Sequence, residues 1–232
     1  MKNLKDFAKL FGGEFMIRIS NLFLRYVRQY YALYDINLEI SQGERIAFIG
    51  KKESGKTSLL RILLKLEKFQ KGEVYIKNIP LKKLDFAEDI NMGYLPAVPI
   101  FFENKTVYEN LVYIAKMQLS RPAQIENLVS EVLIDFNIEG FKDVPVSDLT
   151  LYQKYIVSLA RLSLRKIDIL LVDAVFDSLE AQEKDKIIEI LKQKFIGDDS
   201  IFILSTEDEK LAKKLTSRQI YFENGSIVGE SA

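Results

Sequence analysis

The stretch Gly50-Lys51-Lys52-Glu53-Ser54-Gly55-Lys56-Thr57 decides the fold of this chain. It satisfies the phosphate-loop pattern, in which a glycine, four variable residues and a second glycine precede Lys and then Ser or Thr. An apolar segment at 45–49 runs into this stretch, and a helical pattern at 58–69 follows it. Because the motif requires this order of strand, loop and helix, we predict an α/β domain that binds phosphate at the loop.

Each part of the loop has a chemical role toward a nucleotide. Glycines permit a tight turn, so that successive amide N–H groups and the N-terminus of the following helix converge on an anion. The motif places Lys56 on the β- and γ-phosphates and the Thr57 hydroxyl on Mg²⁺. The alternative is a glycine-containing turn that matches the motif by chance. The predicted ATP-binding residues of this segment are Gly50, Lys51, Lys52, Glu53, Ser54, Gly55, Lys56, Thr57 and Ser58.

The composition of the chain excludes several classes of protein. Its 232 residues suffice for one large domain or for a core with an inserted lobe, and 48% of them are hydrophobic, which excludes disorder. Lys plus Arg and Asp plus Glu number 33 each, so no bulk charge favours a nucleic-acid partner. Cysteine is absent, which excludes disulfides and thiolate metal sites. Because we find no apolar run long enough to span a bilayer and no signal peptide, we expect a cytoplasmic protein.

The domain boundaries follow from changes in pattern along the chain. We predict that residues 1–15 form an N-terminal extension, either a short amphipathic helix or, as we favour, a frayed tail. The domain proper is predicted to span 16–232. Within it, residues from about 98 to 150 have the pattern of a helical lobe, where Thr106 and Glu109 match a capping box. In the same lobe Ser120 and Pro122 mark the start of another helix.

Six segments have the pattern of a β-strand, and two of them are almost entirely apolar. The predicted strands are 17–19, 36–40, 45–49, 74–76, 169–173 and 201–204. The last two are continuous apolar runs, which are typical of parallel strands covered on both faces. A hairpin with an Asn-Gly turn is predicted at 220–228.

The apolar run at 169–173 ends in Asp173. By itself, an Asp at the end of a strand is usually a turn or cap residue. Downstream of a phosphate loop in the same domain, it is instead the expected second element of a nucleotide site, holding Mg²⁺ through water opposite Thr57. We therefore predict that Thr57 and Asp173 form the metal site.

Taken together, these motifs resemble one family, the ATP-binding cassette (ABC) ATPases that drive membrane transporters. The likeness covers roughly residues 17–229, and 149–153 stands where the family has its Leu-Ser-Gly-Gly-Gln signature. The resemblance implies a P-loop NTPase core with a parallel sheet, an antiparallel β subdomain and a helical lobe. It also implies that Tyr26 stacks on adenine. Tyr30 is a second candidate, and either tyrosine could instead be a packing residue of its strand. The other stretches that carry the likeness are 43–50, 106–111, 158–161 and 177–180.

The same resemblance identifies catalytic residues of the family that are missing. The Glu that follows the metal-binding Asp is Ala174, the Gln that senses Mg²⁺ is Ala97, and the switch His is Glu207. The sequence contains no histidine, so no other alignment restores one. Leu151 and Tyr152 replace both signature glycines. Losing a general base typically costs a factor on the order of 10²–10⁴ in rate. We therefore assign no catalytic residue and predict slow or absent hydrolysis.

Three further carboxylates bear on hydrolysis and on nucleotide binding. Asp177 or Glu180 could substitute for the missing base, although their spacing from the metal-binding Asp makes them better candidates for contacts with a partner. Glu53 stands where the phosphate loop of the family usually has a glycine, which places a carboxylate near the triphosphate.

The predicted function is that of an ATP-binding subunit of an ABC-type transporter complex, with ATP and Mg²⁺ as ligands. The resemblance implies two partners: a second nucleotide-binding domain, identical or different, packed head to tail, and a transmembrane protein. The latter would hold the chain at the inner face of the membrane. The alternative is a regulatory or scaffold protein of the same fold that uses ATP as a docking switch. For a third alternative, a phosphoryl-transferring kinase, we find neither a substrate lobe nor a catalytic base.

Overall fold

The computed structural model describes residues 15–27 and 30–231. These form two compact units, which we describe separately. The first consists of the described residues up to Ile90 together with those from Asp198 onward, and the second is Asn91–Gly197. The predicted extension at 1–15 lies outside the described residues, apart from Phe15, where the first strand begins.

Within the described residues there are ten strands and six α-helices. The strands are β1 (Phe15–Val27), β2 (Tyr30–Ser41), β3 (Arg45–Ile49), β4 (Lys71–Ile76), β5 (Ile79–Pro80), β6 (Met92–Leu95), β7 (Ile169–Asp173), β8 (Ile201–Thr206), β9 (Arg218–Glu223) and β10 (Ser226–Ser231). The helices are α1 (Lys56–Leu63), α2 (Val107–Ala115), α3 (Pro122–Asp135), α4 (Leu151–Ser163), α5 (Ala181–Lys194) and α6 (Glu209–Leu215). Every strand predicted from the sequence is confirmed, with β1 and β2 longer than expected.

The first unit contains an antiparallel sheet with the strand order β2-β1-β4-β5. One face of β2 is apolar because every second residue from Ile36 to Ile40 is buried. This alternation is typical of a sheet with one face in the core and one in solvent. The sheet is the antiparallel β subdomain that the resemblance implied.

A second set of strands in the same unit positions the phosphate loop. Here β3 pairs in parallel with β8 on one side and with β9 on the other. All six residues of β8 are buried, as the continuous apolar pattern predicted. The hairpin β9–β10 turns at Asn224 and Gly225, whose φ angles of 47° and 80° are those of a type I′ turn. The predicted Asn-Gly hairpin is thus confirmed.

The helix after the phosphate loop is shorter than its apolar pattern predicted. We expected it to extend over 58–69, but α1 ends at Leu63 because Lys65 adopts a left-handed conformation with φ 58°. The amide of Lys65 donates to the carbonyl of Ile62, and that of Leu66 donates to Arg61, both at 2.9 Å. This is the Schellman pattern of a helix end, with Lys in the place usually taken by Gly. The Lys65 ammonium group donates to the carbonyl of Leu84 at 2.7 Å and so holds the side chain of this residue in place.

The second unit combines the parallel pair β6–β7 with helices α2 to α5. Helices α2, α3 and α4 pack on one another. One face of α3 is apolar: Ile125, Val129, Val132 and Leu133 are buried, and Leu128 is half-buried. The capping box of Thr106 and Glu109 is confirmed, with hydrogen bonds of 3.1 and 2.9 Å. Helix α3 begins with Pro122 as its first residue, but its N-cap is Arg121 rather than Ser120. None of the described helices is both long and apolar enough to cross a bilayer.

Candidate nucleotide-binding site

The phosphate loop leaves β3 and enters α1 through two glycines that the backbone requires. A Cβ atom on Gly50 would lie 2.3 Å from the carbonyl oxygen of Phe222, so no larger residue fits. Gly55 has φ 105°, and a Cβ there would lie 2.6 Å from the carbonyl oxygen of Ala32. Both positions of the motif therefore have a steric reason in this fold.

Lys56 is buried in the curve of the loop, with only 7% of its surface exposed. Its ammonium group donates to the carbonyl oxygens of Gly50 at 2.5 Å and Lys51 at 2.8 Å, and to the hydroxyl of Ser54 at 3.2 Å. These three acceptors hold the side chain in place inside the loop. A fixed positive charge inside a loop of this kind is suited to bind phosphate.

Several backbone donors of the loop are available as well. In the part of the chain that the structure describes, the amide groups of Lys52, Glu53 and Gly55 have no backbone acceptor. Gly55 is the N-cap of α1 and has no side chain to satisfy the first turn of the helix. Amide donors at a helix N-terminus, next to a fixed ammonium group, are the elements from which phosphate sites are built.

Glu53 is an exposed non-glycine residue with φ 64°. A left-handed conformation costs a residue with a side chain about 1–2 kcal/mol. The position expected from the resemblance to prefer glycine therefore does adopt a backbone geometry that favours glycine. The carboxylate and the strain are both features that this chain tolerates in its loop.

Tyr26 lies beside the first turn of α1. Its hydroxyl donates to the Ser58 hydroxyl at 3.1 Å, and 56% of its surface is exposed. Tyr30, the other candidate, is 73% exposed. The hydrogen bond to Ser58 favours Tyr26 as the aromatic next to the loop, and stacking on adenine stays a prediction.

In the second unit, β7 ends in Asp173, which is only 2% exposed. The hydroxyl of Tyr94, in β6, donates to its Oδ2 at 3.2 Å. Ala174 follows with φ 51° and caps a short 3₁₀ turn, Val175–Ser178. Glu180 is the N-cap of α5 and forms a reciprocal capping box with Glu183. Glu180, one of the two candidates for a substitute base, thus lies at the start of α5, where its amide donates to the Glu183 carboxylate at 3.0 Å.

The predicted metal ligands have the chemistry that Mg²⁺ prefers, a hydroxyl and a carboxylate. Thr57 is exposed in the first turn of α1, and a buried carboxylate such as that of Asp173 is stabilised by a cation. Thr57 belongs to the first unit and Asp173 to the second. Each residue offers an oxygen atom of a kind that binds Mg²⁺. Across residues 15–27 and 30–231 no group of three or more acidic side chains offers another metal site.

The segment after β6 is held against α4 by two side chains of that helix. The hydroxyl of Tyr155 donates to the carbonyl of Ala97 at 2.5 Å, and Arg161 donates to the carbonyl of Ile100 at 2.8 Å. Tyr155 is fully buried. Burial lowers the pKa of Arg161. Ala97 itself is exposed and contributes only a methyl group.

The start of α4 carries side chains at both positions where the family signature has glycine. Thr150 caps the helix with a reciprocal bond to Gln153. Leu151 is 38% exposed, and Tyr152 is half-buried with the Lys186 ammonium 5.9 Å from its ring centre. The helix N-terminus is therefore well capped, but side chains limit how closely a phosphate can approach its backbone.

A family model described as ABC transporter matches residues 33–176, more than half of the chain. The chain belongs to the ABC transporter family. This confirms the resemblance on which the expected ABC ATPase architecture rested.

Individual ABC relatives are similar over most of the chain. It is 28% identical over 209 residues to a probable ABC transporter ATP-binding protein, p29, of Mycoplasma pneumoniae, covering 86% of each protein. It is 28% identical over 222 residues to the human ATP-binding cassette sub-family A member 10, covering 94% of this chain but only 14% of that protein. It is 26% identical, with a TM-score of 0.82, to the dimeric ATP-binding cassette MJ0796 in a post-hydrolysis state bound to ADP and Pi. That likeness covers 93% of this chain and 98% of the other.

The chain has a well-formed phosphate loop, while the resemblance predicts substitutions at catalytic positions of the family. The structure places Ala97 and Ala174 in the second unit, where neither can act as a base or donate a proton. Glu207 follows β8 in the first unit and is exposed. If this position faces the γ-phosphate, as the resemblance predicts, the carboxylate would carry a charge of the same sign as the phosphate.

Two tyrosines of the site were missed by sequence reasoning. Tyr94 and Tyr155 reach their partners only because of tertiary packing, across strand pairing in one case and between a helix and a loop in the other. The sequence contains no local signal for the Tyr155 contact. For Tyr94, the one indication was its position three residues before Ala97, where the family has the Gln.

Proposed function

We propose that this chain is the ATP-binding subunit of an ABC transporter complex, and that it binds Mg-ATP but hydrolyses it slowly or not at all. The observation that carries the proposal is the buried ammonium of Lys56, which donates to Gly50, Lys51 and Ser54 inside the loop. It coexists with Ala174 and Ala97 at the positions where ABC ATPases carry a base and a metal-sensing amide. Binding groups are thus present where catalytic groups are absent.

Rate arguments support slow turnover. A missing general base typically costs a factor on the order of 10²–10⁴. A missing preorganised donor at developing charge costs on the order of 10²–10³. Such losses need not multiply, but either of them alone makes hydrolysis slow. ATP then acts as a bound ligand or switch and not as a substrate that is hydrolysed in each transport cycle.

The proposed partners are a second nucleotide-binding domain, packed head to tail, and a transmembrane protein that holds the chain at the membrane. The similarity to a dimeric ATP-binding cassette supports the first. In such a pair, ATP lies between the phosphate loop of one domain and the signature of the other. Leu151 and Tyr152 of this chain would then weaken the site that contains the loop of its partner. With an active partner, the site at the loop of this chain would lack catalytic residues, and the other site would have the altered signature. In a homodimer, both sites would have both defects.

The substitutions at the signature also favour a second candidate function. In a regulatory or scaffold protein of this fold, ATP-dependent docking needs a binding loop but no efficient signature. Co-purification of the tagged chain with a transmembrane protein would support the transporter subunit. Co-purification with a water-soluble complex alone would support the regulatory protein.

The test measures binding and hydrolysis on the same preparation. Isothermal titration calorimetry with Mg-ATP is expected to detect binding that is lost in Lys56→Ala and retained in Lys68→Ala, which removes an exposed lysine of the same unit. Steady-state phosphate release is expected to be the same for the wild-type chain and Lys56→Ala. Turnover near about one per second that disappears in Lys56→Ala would overturn the proposal of slow hydrolysis. No binding by the wild-type chain would overturn the proposal of an ATP ligand.

A further inference from the structure

Tyr94 is the polar side chain of β6 that reaches the carboxylate at the end of β7. The two strands pair in parallel, and Tyr94 is in register with Leu171. Residues 171 and 173 lie on the same face of β7 because side chains alternate along a strand. Tyr94 therefore starts two residues before Asp173 on the shared face, a separation of about 6.6 Å that a phenol side chain can bridge. The hydroxyl donates to Oδ2 of Asp173 at 3.2 Å.

The environment of Asp173 makes this contact important. The residue is 2% exposed, and all other residues of β7 are buried as well. A carboxylate removed from water is costly unless hydrogen-bond donors or a cation compensate it. A donor on Oδ2 also fixes the plane of the carboxylate, and with it the direction in which the carboxylate oxygens face a cation.

In the segment that follows β6, the side chain of residue 97 is neither a hydrogen-bond donor nor a metal ligand. At position 97, where ABC ATPases have a metal-sensing Gln, the side chain is a methyl group, and its carbonyl accepts from Tyr155. Tyr94, three residues earlier, is half-buried and ends in a hydroxyl. Its contact with Asp173 places a hydroxyl next to this carboxylate, a position that the methyl group of residue 97 cannot fill.

We propose that Tyr94 is a positioning residue for the magnesium site, acting through Asp173. Its phenol holds the carboxylate in the orientation that receives the Mg²⁺ of bound Mg-ATP. This inference rests on the proposed binding of Mg-ATP and names a residue that determines how strongly the metal contributes to it. Outer-sphere groups that orient a metal ligand commonly change metal affinity by about 10–100-fold when removed.

The experiment measures the affinity for ATP with Mg²⁺ and with EDTA, by calorimetry on the full chain. The wild type is expected to bind ATP more tightly with Mg²⁺, and Asp173→Ala is expected to lose this gain. Tyr94→Phe is expected to reduce the gain by about tenfold and to leave the affinity in EDTA unchanged. Tyr113→Phe is the matched control, because it removes the phenol hydroxyl of a half-exposed ring in the same unit and should keep the full Mg²⁺ gain.

A double-mutant cycle separates orientation of the metal ligand from a general effect on the fold. In the Asp173→Ala background, Tyr94→Phe should not lower the affinity for Mg-ATP any further, because the hydroxyl acts through the carboxylate. A full Mg²⁺ gain in Tyr94→Phe, or equal losses of Mg-ATP affinity in both backgrounds, would overturn the role of Tyr94 while leaving Mg-ATP binding intact. A wild-type chain that binds ATP without any Mg²⁺ gain would overturn the metal site itself.

Discussion

Replacing Tyr155 with Phe removes one hydroxyl from the interior of the second unit and tests how firmly α4 holds the segment after β6. The side chain of Tyr155 is fully buried and donates to the carbonyl of Ala97 at 2.5 Å. The ring remains in Phe, so the change isolates the hydrogen bond. Because the exposed Ala97 can bind water instead, we expect a loss of about 1 kcal/mol in the free energy of unfolding at pH 8.

The pH dependence gives the same variant a sharper signature. Burial, and then the nearby Asp177 carboxylate, raises the pKa of Tyr155 from 10.0 to about 12. The folded protein keeps this proton while the unfolded chain releases it, so the stability contributed by the neutral phenol is complete below pH 10 and falls as the pH rises toward 12. The loss reaches about 1.4 kcal/mol at pH 11, since each pH unit in this range is worth about that much. It exceeds the contribution of the hydrogen bond, so the order of stability should reverse.

Urea unfolding followed by circular dichroism at pH 8 and at pH 11 measures both effects. The wild type should be the more stable at pH 8, and Tyr155→Phe should be equally or more stable at pH 11. Tyr113→Phe, which changes a half-exposed ring of the same unit, controls for the titration of the other tyrosines. A constant difference between wild type and Tyr155→Phe at the two pH values would refute the proposed burial of a neutral phenol.

Three further substitutions test the loop and the start of α4. Gly55→Ala forces a Cβ to 2.6 Å from the Ala32 carbonyl at φ 105°, and urea unfolding should show a loss of about 2 kcal/mol or more. Glu53→Gly relieves a left-handed conformation and removes a negative charge, so calorimetry should show ATP binding several-fold tighter at low salt and a smaller gain in about 1 M NaCl. Thr150→Ala removes the hydroxyl that caps α4 through the Gln153 amide, and a loss of about 1 kcal/mol in unfolding free energy is expected.

Local patterns predicted the parts of the fold that depend on few residues. The phosphate loop was predicted from its spacing and from the strand and helix patterns around it, and the structure adds the steric reason for Gly50 and Gly55. The capping box of Thr106 and Glu109 is set within a single helical turn, so the sequence was sufficient. The antiparallel subdomain, in contrast, came from the resemblance, since alternation alone does not specify which strands pair.

The predictions failed or were missing where tertiary structure decides. The end of α1 was misplaced because the apolar pattern continues past Leu63, while Lys65 turns the chain without Gly or Pro. The contact between Tyr94 and Asp173 depends on the register of two strands that are far apart in sequence. The capping role of Glu180 likewise required the position at which α5 begins.

A single-turnover measurement can decide whether the chain holds Mg-ATP without hydrolysing it efficiently. The purified chain, in excess over Mg-ATP labelled at the γ-phosphate, is sampled over time and the bound nucleotide is identified. We expect the bound nucleotide to remain ATP for minutes, with a conversion rate below about 0.01 per second. Conversion of bound ATP to ADP at about one per second, abolished by Lys56→Ala, would contradict this expectation.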